Sequence, residues 1–106
     1  MEISLVELKE IFAQNSAAQD GVPFKVGENY LIRTVTMIQT GKVAAITGGF
    51  LVLEQAAWIA NTARFYDTLK SGDLDEVEPF PDGCFVAIAS IVDAAPWKHA
   101  LPTEQK

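Results

Sequence analysis

The chain has 106 residues, 49% hydrophobic and 21% charged, with 14 acidic against 8 basic side chains and a formal charge of -6. That composition fits one globular domain with a packed core. It excludes a disordered chain, a membrane-spanning helix, for which no apolar run is long enough, and a general nucleic-acid binder, whose surface would have to attract phosphates.

The stretch "MEISLVELKE" has acidic residues and no basic segment ahead of an apolar one, so no signal peptide is expected and an intracellular home follows. Ser4 and Glu7 have the spacing of a capping box, and Ile3 with Leu8 that of a hydrophobic staple. Leu5, Leu8, Ile11 and Phe12 then recur at helical spacing, with Glu7, Lys9, Glu10 and Gln14 on the other side. The pattern predicts a helix over about residues 5–18 that ends before Asp20-Gly21.

From Tyr30 the residues become β-branched: "YLIRTVTMIQT", "KVAAIT" and "FLVLEQAAWIA" predict three strands, turned at Gly41 and at Gly48-Gly49 into an antiparallel meander. Asn61 or Thr62 is expected to cap a short helix over about residues 62–71, with Phe65 and Leu69 as its buried stripe and Gly72 as its stop. "EVEPFPDGCFVAIASIVDAAPW" predicts a short strand, a Pro-Asp-Gly turn and a long apolar strand, in which the single cysteine, Cys84, is a small buried hydrophobe. The tail, residues 96–106, has no periodicity and is expected to lie irregularly on a neighbour. The fold class is therefore α+β in a single domain, residues 1–106. A helix packs on a strongly bent sheet over about residues 30–95, and a short helix is inserted after the third strand.

The stretch "RTVTMIQTGKVAAITGGFLVLEQA" resembles the first half of an Sm-type motif, which implies an Sm-like or SH3-like small β-barrel core. RNA-binding Sm-like rings carry basic or aromatic residues in the pore loops. "ITGGF" and "SIVDAA" offer no such charge, so RNA binding is the weakest function this likeness implies. From residue 30 onward the chain also resembles small uncharacterised bacteriophage and prophage proteins, through "AAWIANTARF" and "LPTEQK". That second likeness implies a virion or a bacterial host cytoplasm as the setting, with phage or host proteins as partners.

Catalytic equipment is thin. His99 is the only histidine and lies in a proline-flanked tail, "TGGF" reads as a turn rather than a phosphate loop, and the carboxylates of "DLDEVE" read as a solvated loop. No catalytic residue, metal or cofactor is expected, and the protein reads as a non-enzyme. Two binding readings remain. Asn61 and Thr62 at a helix start, Arg64 in its first turn, and Trp58 or Tyr66 for stacking could hold a nucleotide-like anion. Trp58 at a strand end is equally the ordinary lid of a core, and Arg64 has Asp67 as a competing partner. The other reading is homo-oligomerisation. Along "FLVLEQAAWIA" both alternating sets are apolar, so one face calls for barrel closure or a partner, with strand edges and the tail residues Trp97 and His99 as the contact.

Overall fold

A computed structural model describes residues 22–106; the helix expected over about residues 5–18 lies outside the described residues. The elements are β1 (Asn29–Thr34), β2 (Ile38–Thr47), β3 (Phe50–Asn61), α1 (Phe65–Ser71), β4 (Glu76–Pro79), β5 (Cys84–Ala87), a 3-10 turn (Ile88–Ser90) and β6 (Ile91–Pro96). All strand pairs are antiparallel, in the order β4-β3-β2-β1-β6, with β5 pairing the first part of β3. The architecture is α+β, and the sheet is not closed into a barrel.

Two expected boundaries move. Gly41 does not turn the chain; it lies inside β2, and the first turn falls at Val35–Met37. That turn has no glycine because Thr34 holds it. The Thr34 amide donates to the Met37 carbonyl (2.8 Å), and the Met37 amide donates to Thr34 Oγ1 (3.1 Å). The single apolar strand expected over "CFVAIASIV" is also broken, by the 3-10 turn, where Ser90 Oγ donates to the Ala87 carbonyl at 2.6 Å.

Two irregularities lie side by side and bend the sheet. Thr40 pairs with Ala57 and Lys42 with Glu54, so Gly41 alone faces Gln55 and Ala56. On the other edge of β3, residues 54–56 face the Phe80–Gly83 turn between β4 and β5. Gln55 has a φ of 50°, the mark of an inserted bulge residue. A Cβ on Gly41 would come within 3.1 Å of the Leu53 Cβ and 3.3 Å of the Ala56 Cβ, so a side chain there would have to push those neighbours back by a few tenths of an ångström where β3 lies closest over β2.

The bulge also accounts for the two-sided apolar pattern of β3. An extra residue reverses the alternation of side chains. Before it, Leu51 and Leu53 face an inner core with Phe24, Tyr30, Ile32, Val43, Ala56 and Val86. After it, Ala57 and Ile59 face an outer core with Leu31, Leu74, Val77 and Trp97, covered by Phe65 and Leu69 of α1 and by Leu101. Most of the apolar surface that called for a partner is therefore buried within the chain.

Candidate functional site

The β3–α1 junction is held by its own polar groups. Asn61 Oδ1 accepts from the Ala63 amide at 3.1 Å, which spans a turn where Ala63 has a φ of 71°. The Thr68 hydroxyl, fully buried, is shared between the carbonyls of Thr62 and Asp73, at 2.7 Å from the latter. Thr62 Oγ1 donates to the Ala63 carbonyl at 2.9 Å. Neither Asn61 nor Thr62 caps α1. The N-cap position belongs to Arg64, without a side-chain cap, because both cap-type residues are used by the turn ahead of it. The stop at Gly72 is where expected, its amide donating to the Thr68 carbonyl at 2.9 Å.

The Arg64 side chain is exposed, and so is Tyr66, with Lys70 Nζ 5.7 Å from its ring centroid. Trp58 is 38% exposed and pairs with Gln39 on β2 and Glu78 on β4. The depression beside it is lined by Arg33, Val35, Met37 and Ile38, while Arg64 and Tyr66 are not part of its wall. The junction residues do not converge on one cavity.

Trp97 and His99 serve the fold. Trp97 is 4% exposed, donates from Nε1 to the Ala100 carbonyl at 3.1 Å, and meets the His99 ring edge-on at 4.9 Å. His99 Nε2 bonds the Leu69 carbonyl in the last turn of α1 at 2.8 Å. The tail then reaches β4, where Val77 and Lys106 exchange both backbone hydrogen bonds at 3.0 Å and the Gln105 amide donates to Glu78. Reciprocal exchange is the pattern of a hydrogen-bonded antiparallel pair. The tail expected to lie on a neighbour lies instead on its own chain, covering α1 and the outer edge of β4.

What the sequence reading missed is the surface left over. Phe85 is 74% exposed and Val92 65%, on β5 and β6, and Phe50, opposite Ala87 in the β3–β5 register and so diagonal to Phe85, is exposed too. Among the described residues β5 pairs only with β3, and β6 only with β1. The signal was available: in "CFVAIAS" strict alternation puts Phe85 opposite in sense to Cys84 and Val86, which face the core. The Arg33–Asp93 pair was also unforeseen. It joins β1 to β6 through two hydrogen bonds, one of 2.7 Å, and sets the guanidinium 4.8 Å from the Phe65 ring centroid. It is the one ion pair among the described residues. That hydrogen bond and charge hold the Asp93 carboxyl below its ordinary range.

The chain matches no family model, no curated protein and no solved structure. Among the described residues no group of three or more His, Cys, Asp or Glu side chains could hold a metal ion, and no helix is long and apolar enough to cross a membrane. Cys84 is half-buried, and burial pushes its thiol pKa up, which disfavours the reactive thiolate.

Proposed function

We propose that this protein is a non-enzymatic homo-oligomer that acts through protein contacts, as a phage-type accessory or virion component in a bacterial host. The observation that carries the reading is the pair of strand edges, β5 and β6, that no other strand covers among the described residues, each with an exposed large apolar side chain, Phe85 and Val92. Edges of this kind are ordinarily blunted by charge, proline or a covering segment. β4 has all three protections, with Glu76 and Glu78, Pro79 and the tail; β6 has Asp93, Pro96 and a register shift at Val92, and β5 has neither charge nor proline.

The nucleotide-like ligand reading has less behind it, since Trp58, Arg64 and Tyr66 do not share a cavity and Asn61 and Thr62 are engaged in the turn. An Sm-like RNA reading has to overcome the formal charge of -6. Light scattering of the purified chain at micromolar concentration tests the proposal. An oligomer that becomes monomeric on Phe85→Lys supports it, and a monomeric wild type contradicts it.

A further inference from the structure

Of the two uncovered edges, β5 is the one built to pair with itself. The Ile88 amide donates to the Gly49 carbonyl at 2.9 Å, and the β3–β5 register runs on from there through Ala87↔Phe50 and Val86↔Leu51 to Phe85↔Val52 and Cys84↔Leu53. Ladder bonds alternate along an antiparallel pair, so Val86 and Cys84 bond β3, while the amides of Phe85 and Ala87 and the Phe85 carbonyl point away from it. The Ala87 carbonyl already accepts from the Ser90 hydroxyl at 2.6 Å. Phe85 is thus the residue of β5 that presents both an N–H and a C=O on the uncovered side.

Pairing about a two-fold axis sets residues near the axis against their own copies, so a charge there meets its like and repels it. No charged side chain lies between Asp82 and Asp93, and β5 therefore meets that demand in a chain of net charge -6. β6 does not, with Asp93 on its edge and a register shift at Val92, which makes Val92 a packing contact rather than the start of a ladder. We propose that β5 of one copy pairs antiparallel with β5 of a second, with the two-fold axis at Phe85. Each Phe85 N–H donates to the other chain's Phe85 carbonyl, the two rings lie opposite as a cross-strand aromatic pair, and the Ala87 N–H donates to the partner subunit's Gly83 carbonyl. The assignment rests on the reading that copies of the chain associate, and it names the contact. Phe85 and Phe50, 74% and 44% exposed, bring roughly 200 Å² of apolar surface from each copy, about a quarter of what one partner gives to a standard interface. The pair is therefore weak, and its population follows protein concentration.

The test is amide hydrogen exchange of the full chain over a concentration series, with light scattering on the same samples. Protection at the Phe85 and Ala87 amides that rises with concentration, while the Val86 amide is protected throughout, is expected. Ala87→Pro probes the same ladder with little disturbance of the chain, because Ala87 has a φ of -67°, which proline adopts, and its N–H faces away from β3. By symmetry the substitution removes two hydrogen bonds from the dimer. The dissociation constant should rise about tenfold or more, with the urea midpoint of the dilute protein unchanged. A folded Ala87→Pro chain that associates as wild type overturns the assignment. So does an oligomer whose Phe85 and Ala87 amides exchange fast at every concentration, which leaves association itself standing, whereas a monomer at every concentration overturns both. Protection at those two amides that is equally strong in dilute protein places a segment of the same chain on β5 and overturns the assignment as well.

Discussion

At the scale of single residues, the roles follow burial and hydrogen bonding more closely than side-chain chemistry. Arg64, the most suggestive residue of the sequence, is exposed, whereas Thr68, chemically bland, ties two carbonyls together at the centre of the junction. Thr68→Val should therefore cost about 1–3 kcal/mol, by leaving those carbonyls short of a donor, and Arg64→Ala should stay within about 0.5 kcal/mol of wild type in urea unfolding. Asp93 gives a pH dependence of known sign. Its folded pKa is depressed by Arg33, so its contribution is present above the ordinary value of 3.8 and is lost as pH falls through the lower, folded value. Both groups are in water, so the effect is small and screened by salt. Asp93→Asn should remove that part of the acid dependence, read as the urea midpoint against pH, while Arg33 keeps its place over Phe65.

At the scale of elements, the bend is the feature that organises the fold. Gly41→Ala inserts a methyl against Leu53 and Ala56 where β2 and β3 are closest, and should destabilise by about 1–3 kcal/mol. Gly83 has a φ of 78° and would place a Cβ 2.4 Å from the Leu53 carbonyl oxygen, so its substitution should cost more than that of Gly41 in the same unfolding measurement. The tail is held locally. His99→Ala should cost about 1 kcal/mol and raise hydrogen exchange at the Lys106 amide, which donates to Val77, before it affects the core strands.

Much of this level was legible in the sequence. β-Branched runs and the Gly48-Gly49 turn located β3 and the second half of β2, and Phe65, Leu69 and Gly72 located α1. What escaped was every point where a local signal has two meanings. Gly41 reads as a turn residue, but it serves close approach within a strand. Val35–Met37 reads as strand, but it turns because Thr34 supplies the hydrogen bonds that a glycine turn would have arranged by conformation. The apolar doubling of β3 reads as a strand covered on both faces throughout, yet a single inserted residue, Gln55, passes the apolar set from one core to the other. The local partners of the candidate site residues were hidden for a related reason. Trp97 and His99 were prominent by residue type, but their partners, the Ala100 and Leu69 carbonyls, are backbone groups that sequence does not single out.

At the scale of the whole molecule, apolar surface is partitioned unevenly. The inner core fills the bend, the outer core lies under α1 and the tail, and Phe50, Phe85 and Val92 lie outside both. The central claim is that two of these, Phe85 and Val92, mark the edges where copies of the chain meet. Hydrogen exchange of the β5 and β6 amides at a series of protein concentrations tests it most directly, because edge amides are protected only while a partner strand or surface covers them. Protection at β5 and β6 that rises with concentration, with β2, β4 and the tail unchanged, is the predicted result. Exchange at both edges that stays fast and independent of concentration would contradict it.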